Sequence, residues 1–481
     1  MTPRAGLSAI GVSLGCLLLT ALLGPSAFEP ALPGKSGQPP YSLDAHPSPY
    51  LVVGLVVVGV LAGIAGLALC FRAVRRGWEA RALPLVVAGL LAAVAFMCMP
   101  PIGSADHLNY ASYGRMAATG HDPYVTRAND VPDDPVIGAA EEWRDTPSVY
   151  GPVTVAGQAL ASKIGGGSVR LTVFALSVMN VAAFALTALL LHRLARDGRG
   201  RLRAALLWTC NPLLLFHLIG GAHNDVLAIA PMVAALAVFS ARPGLPRTLA
   251  TGALVGLGAV TKLPAALAGG GPAWVLLRRR EWPRLAALFG GAGVVAVVAF
   301  ALAGPHALDQ VRKASDMISL ATPWHLLALV VRVRPIVKIV AFAVLLALVW
   351  LLHRALPGDE RDEPRRVAAA LVLAWLFAAP YELPWYDGFG WALLALLPWS
   401  RFDEVLLAHT GALSLAYLPA RAPRVIDLPG GLTWLVPVLR SAVIPLVLTG
   451  VLLALARLCL RTPPPPPGPA GPPRASAGRP G

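Results

Sequence analysis

Apolar stretches close to the ~20 residues needed to cross hydrocarbon recur from one end of this chain to the other, and that repetition decides what it can fold into. Candidate spans run roughly over 6 to 28, 51 to 71, 83 to 100, 171 to 191, 204 to 219, 225 to 240, 286 to 304, 335 to 352, 367 to 380, 388 to 399, 405 to 419 and 438 to 460. A spanning segment must satisfy its own backbone polar groups, so these stretches predict α-helices. The expected fold is all-α, a polytopic transmembrane bundle of about 12 to 14 spans with short helices in a long first outer loop. Separate soluble cores are excluded, because 56% of the residues are hydrophobic and only 14% are charged. The segment 248 to 277 is interrupted by Lys262, Pro264 and the glycines at 269 to 271, which predicts two short helices meeting near the outer face. At the N-terminus, Arg4 before an apolar core fits a signal peptide. The length of the run and the lack of a small-x-small cleavage site favour an uncleaved first span.

A formal charge of +15 raises the question of nucleic acid, but the arginines sit in short clusters at the ends of apolar segments. Arg72, Arg75, Arg76 and Arg81 form one cluster, and Arg193, Arg196, Arg199, Arg201 and Arg203 another. Arg278 to Arg280 and Arg361, Arg365 and Arg366 complete the set. Such clusters mark cytoplasmic loops, and no basic folded patch interleaved with aromatics accompanies them. With both termini inside, the longest polar loop, 101 to 170, falls on the outer side. It is acidic, carrying Asp106, Asp122, Asp130, Asp133, Asp134, Glu141, Glu142 and Asp145. The outer loop 305 to 334 predicts an amphipathic segment on the membrane surface. Arg332, Arg334, Arg421 and Arg424 land on the outer side too, against the charge rule. Cys16, Cys70, Cys98, Cys210 and Cys459 all lie in apolar segments without a metal-ligand spacing, so neither disulfides nor zinc are expected. The proline-rich end, 462 to 481, is expected to be a disordered cytoplasmic tail beyond the 1 to 461 membrane domain.

Polar side chains gather at four places. In "SADHLNYASYGRMAATGHDPY", Asp106 stands just past a helix end near the outer surface, either as a base for a hydroxyl or as the cap of the next helix. Tyr110 and Tyr113 share a face of that helix, Arg115 points elsewhere, and Gly120 and Pro123 before Tyr124 signal a turn. Tyr150 in "VYGPV" marks a second turn. In "GGAHNDV", His223, Asn224 and Asp225 are three adjacent polar groups at membrane depth, more than capping alone requires. Lys262 in "TKLPA" either snorkels or faces a phosphate. In "FAAPYELPWYDGFGW", Glu382 and Asp387 lie among Trp385 and Tyr386, as in sugar recognition or as in an interfacial aromatic belt.

Together, "DHLNYASYGRMAATGHDPY", "VYGPV", "GGAHNDV" and "TKLPA" resemble the polyprenol-phosphomannose-dependent alpha-1,6-mannosyltransferases of the GT-C superfamily, over roughly residues 85 to 400. The resemblance implies a cell-envelope hexosyltransferase of the cell membrane, using a polyprenyl-phosphate sugar donor and a glycan or glycolipid acceptor, with no nucleic-acid partner. It makes Asp106 the catalytic base. His107, Tyr110, Arg115, Tyr124, Tyr150, His223, Asn224, Asp225, Lys262, Glu382, Trp385, Tyr386 and Asp387 are expected to bind substrate, with Lys262 toward the donor phosphate. Where many GT-C enzymes carry two adjacent acidic residues, this chain has Asp106 followed by His107, so no metal or other cofactor is called for. The rival reading is a transporter or lipid flippase with Asp225, Lys262 and Glu382 as a charge relay. It would concentrate these groups at the bilayer midplane in repeat symmetry.

Overall fold

The computed structural model describes residues 3–35, 37–240, 243–309 and 317–463. The proline-rich tail from 464 onward, and residues 310–316 of the expected amphipathic segment, lie outside the described residues. Among the described residues the chain forms helices and no strand.

Among the described residues, seven helical stretches are long and apolar enough to cross a membrane: Pro3–Leu23, Pro49–Arg75, Val169–Leu194, Gly198–Gly220, Trp282–Ala303, Arg334–Ala355 and Gly430–Arg461. The remaining passes expected from the sequence fall on shorter helices, such as Ala82–Met97, Asp225–Ser240, Leu245–Thr261 and Glu363–Ala378. Their brevity has local causes. The chain breaks at Lys262, runs as a 3₁₀ segment over Leu263–Gly269, and resumes as Gly270–Arg278, the expected two short helices. Pro384 likewise opens a short turn between Glu363–Ala378 and Asp387–Leu394.

Gly198–Gly220 lies at the centre, buried from Leu202 onward. It is wound wide over Ala205–Thr209 and Leu215–Gly220, and Asn211 between them accepts from the amides of Leu213 and Leu214 at 3.1 and 3.3 Å. Around it pack Asp225–Ser240, Glu363–Ala378 and Asp387–Leu394, whose buried side chains form the main core with Trp208, Trp385, Phe389 and Trp391. Trp282–Ala303 and Arg334–Ala355 stand at the periphery. Val297 (69% exposed), Leu302 (85%) and Ile339 (68%) turn outward there, which suits lipid rather than water.

Two opposite faces result. On one, Arg196 reaches Asp359 and Asp362 at 3.3 and 2.9 Å, Arg278 pairs with Glu363 at 2.8 Å, Arg75 pairs with Glu404, and buried Arg203 grips Asp403 at 2.7 and 2.8 Å. Arg365 of the last cluster lies 3.7 Å from Asp362, so every basic cluster of the sequence contributes to this face. On the other, the long loop is tied to later turns, as His306 Nδ1 lies 3.2 Å from Asp122 and Arg421 pairs with Glu141 at 2.5 Å, and Ser319 N joins two of those turns by donating to the Pro380 carbonyl at 2.9 Å. That pairing gives Arg421, anomalous by the charge rule, a structural reason for its side.

Candidate active site

The loop face gathers most of the polar motifs into one cluster. Asp106 opens the helix Asp106–Ala118, but Ala105 is the capping residue and makes no side-chain cap bond. Ser104 Oγ instead accepts from the Asp106 amide at 2.9 Å. The Asp106 carboxylate is thus not used as a cap, and its Oδ2 faces His223 Nε2 at 3.8 Å. Burial pushes the Asp106 carboxyl up to about 7. The neighbouring carboxylates of Glu142 and Asp225 add to the rise, while Lys262 and a hydrogen bond from Tyr110 oppose it.

His223 is positioned by the turn that ends Gly198–Gly220. Its Nδ1 lies 2.5 Å from the His217 carbonyl oxygen, its own carbonyl accepts from Asn180 Nδ2 at 3.3 Å, and its ring stacks on Trp385 at 3.5 Å and 14°. The fold-back needs Gly221: a Cβ there would lie 2.6 Å from His223 Nδ1 and 2.7 Å from the His217 oxygen. Asn224 is buried beside it. Asp225 begins Asp225–Ser240, and its carboxylate meets Lys262 Nζ at 2.5 Å. Lys262, at the helix break, also lies 4.0 Å from the centre of the Tyr386 ring.

The "VYGPV" turn locks onto this break. Thr154 donates to the Thr261 carbonyl at 2.8 Å, and a Cβ at Gly151 would stand 2.0 Å from the Val260 oxygen. Only glycine permits that approach. Tyr150 is thereby held edge-on to Tyr110 at 5.0 Å and tilted to Tyr113 at 6.3 Å. Four motifs far apart in the chain thus converge around one carboxylate.

Other expected residues are engaged elsewhere. Arg115 pairs with Asp134 at 2.8 Å and braces the loop. Tyr124 packs with Val155 and Ala307. His107 is fully buried, and among the described residues neither ring nitrogen has a hydrogen-bond partner. Asp387 is an internal anchor: His409 Nδ1 lies 3.0 Å from both its oxygens, and Thr410, which accepts from Trp391 Nε1 at 2.9 Å, donates to it at 2.6 Å. Glu382 is buried beside a small cavity shared with Phe377 and His409, and has no hydrogen-bond partner among the described residues.

The structure also adds residues. Tyr417 packs edge-on to Trp385 at 5.1 Å, and Glu142 accepts from the Ala422 amide at 2.6 Å while standing near Asp106. Tyr417 sits at the end of an ordinary apolar helix, so no sequence signal marks it. For Glu142, the signal was the pairing of "EE" in the outer loop with arginines stranded on the same side.

An ionisable carboxylate beside a histidine and an aromatic wall can take a proton from an alcohol held against it. A family model described as Alpha-(1->6)-mannopyranosyltransferase, N-terminal domain, matches residues 9–278, more than half of the chain. Alpha-(1->6)-mannopyranosyltransferase A of Mycobacterium tuberculosis is 27% identical over 352 residues, covering 65% of this chain and 64% of the relative. Alpha-(1->6)-mannopyranosyltransferase A of Corynebacterium glutamicum is 29% identical over 158 residues, covering 32% of this chain and 30% of the relative. A probable alpha-(1->6)-mannopyranosyltransferase of Mycolicibacterium smegmatis is 33% identical over 171 residues, covering 34% and 30%. The matched part therefore spans less than two thirds of each relative's length. Among solved structures, ArnT from Cupriavidus metallidurans bound to undecaprenyl phosphate aligns at 18% identity and a TM-score of 0.43, covering 82% of this chain and 77% of that one.

Proposed function

The chain belongs to the alpha-(1->6)-mannopyranosyltransferase family, and from that premise we propose that it moves mannose from a polyprenyl-phosphate sugar to a hydroxyl of a lipid-linked or polymeric glycan acceptor. The transfer takes place at the outer face of a membrane it crosses many times. The orientation follows from charge: the face built from the arginine clusters lies in the cytoplasm, and the loop face lies outside.

The observation that carries the reading is the convergence of Asp106, His223, Asp225, Lys262, Tyr110, Tyr150 and Trp385 on the loop face. Asp106 accepts the proton of the acceptor hydroxyl as its oxygen attacks the anomeric carbon. The bond to the phosphate oxygen breaks on the opposite side of the sugar and the lipid phosphate departs. With one base on one side, the configuration inverts, from a β-linked donor to an α-linked product. A membrane-anchored donor is already confined beside the site, so the protein chiefly orients the acceptor against Asp106. The aromatic wall of Trp385, Tyr386 and Tyr417 suits the C–H face of a sugar ring.

A transporter reading fits less well, because Asp225 and Lys262 neutralise each other in a fixed pair beside the outer loop. The test is incorporation of radiolabelled mannose from a polyprenyl phosphomannose in membranes carrying the wild-type chain or Asp106→Asn. The reading requires incorporation that disappears in the variant, and a chain that incorporates nothing refutes it.

A further inference from the structure

Arg332 and Arg334 stand on the loop face against the charge rule, and unlike Arg421 they have no carboxylate partner among the described residues. Two outward-facing arginines one residue apart, at the junction of Pro323–Val331 and Arg334–Ala355, need a reason for being there. They line a groove of about 700 Å³ whose other walls include Trp143 of the long loop, Ile318, Ala328, Leu329 and Val333, and Tyr381 of the turn before Trp385.

The groove joins two environments. At one end Tyr381 lies 6.5 Å from Tyr386, within the wall of the candidate active site, and within electrostatic reach of Asp106. At the other, Leu329, Val330 and Ile336 of the same two helices are exposed apolar side chains, a surface that suits lipid. Its volume suits a drug-sized group, and its lining combines apolar surface with two fixed cations. Arginine pairs with phosphate through two parallel N–H donors and does so well where water is scarce. Lys262 is less suited to the same task. Its charge is already matched by Asp225 at 2.5 Å and covered by Tyr386, so a phosphate there would have to compete with a carboxylate.

We propose that this groove holds the lipid end of the donor, with the polyprenyl phosphate against Arg332 and Arg334, the first isoprene units along Ala328, Leu329 and Val333, and the sugar directed past Tyr381 toward Asp106. The inference rests on the mannosyl-transfer reading and deepens it by assigning the phosphate to two arginines rather than to Lys262.

The experiment measures binding of decaprenyl monophosphate to the full chain in nanodiscs of zwitterionic lipid, by native mass spectrometry. The R332Q/R334Q double variant and Leu329→Trp, which fills the groove with the cations intact, each weaken binding by at least about tenfold, while Gly11→Ala, whose added Cβ meets nothing within 4 Å, binds as wild type. Neither excess phosphatidylglycerol nor millimolar inorganic phosphate displaces the lipid, since the groove needs both the phosphate and the isoprenoid. Wild-type binding in both groove variants with unchanged melting overturns the proposal, as does equal displacement by phosphatidylglycerol. The catalytic reading is judged separately: mannose transfer by Asp106→Asn would remove the base and leave the groove standing.

Discussion

His223 Nε2 stands 3.8 Å from Asp106 Oδ2, while the other nitrogen of the same ring is 2.5 Å from the His217 carbonyl oxygen. A carbonyl oxygen only accepts, so Nδ1 carries a proton and the neutral ring presents a bare Nε2 lone pair to the carboxylate. Two acceptors facing each other share a proton or repel. The distance is too long for a hydrogen bond as it stands, and catalytic contacts often tighten only with substrate bound. The acid-base behaviour of this carboxyl gives the first two predictions.

Asp106→Asn should lower mannose transfer by roughly 10² to 10⁴, the usual worth of a general base. The same change should not harm the fold, because the carboxylate makes no cap bond. It should in fact stabilise the protein at alkaline pH. Since the folded chain holds the Asp106 proton up to about 7, above the ordinary carboxylate value, ionisation costs stability as pH rises through 7, and the amide has no such cost. Melting curves at pH 6 and pH 8.5, wild type against variant, check the sign. A variant less stable than wild type at pH 8.5 contradicts the burial account.

The pH profile follows from the same carboxyl. As a base it works only when ionised, so kcat/KM should fall on the acid side with a midpoint near 7, well above that of an ordinary aspartate. Burial above all, then Glu142, Lys262, Asp225 and Tyr110, set that midpoint, and His223 Nε2 faces the same carboxyl. Replacing His223 with Gln takes Nε2 away from the carboxyl and puts in its place an amide that can donate to the ionised form, so the acid limb should move to lower pH. An acid limb that stays in place in His223→Gln would mean the ring only fills space.

Much of this site was legible because polar groups at membrane depth are costly and therefore informative. The "GGAHNDV" turn, the lysine at its helix break and the loop carboxylate announced themselves against an apolar background, and all three meet in the fold. Asp387 shows why the rest was hidden. It sits among tryptophans and tyrosines as a sugar-binding acid would, yet His409 and Thr410, on a later helix, take both its oxygens. Nothing in the local sequence distinguishes an acid that faces a cavity from one that clamps two helices. Arg115 is a similar case, drawn away by Asp134 across the loop. The lengths of the individual helices were hidden for a related reason. Apolar runs mark burial, but Pro384, Pro264 and the glycines at 269 to 271 cut several of them into helices too short to cross alone.

The Lys262–Asp225 pair should behave as a buried ion pair. Asp225 is almost wholly covered and Lys262 is mostly so. Lys262→Met strands a buried carboxylate and should cost about 3 to 5 kcal/mol, whereas Lys262→Met with Asp225→Asn should recover much of the loss. Denaturation in detergent, read as a double-mutant cycle, tests the coupling. If the two changes are simply additive, the pair does not hold the turn to the helix break.

Gly221 offers the sharpest link from backbone to chemistry. A Cβ at that position would fall 2.6 Å from His223 Nδ1 and 2.7 Å from the His217 oxygen, so Gly221→Ala must push the ring off its carbonyl and away from Asp106. Transfer should drop, and the acid limb should move to lower pH as in His223→Gln, because both changes take Nε2 from the carboxylate. Gly11→Ala is the control: its added Cβ meets nothing within 4 Å, and alanine favours a helix over glycine by about 1 kcal/mol. Steady-state rates across pH for both variants decide the matter. If Gly221→Ala keeps the wild-type profile, the turn is not what aims His223 at the base.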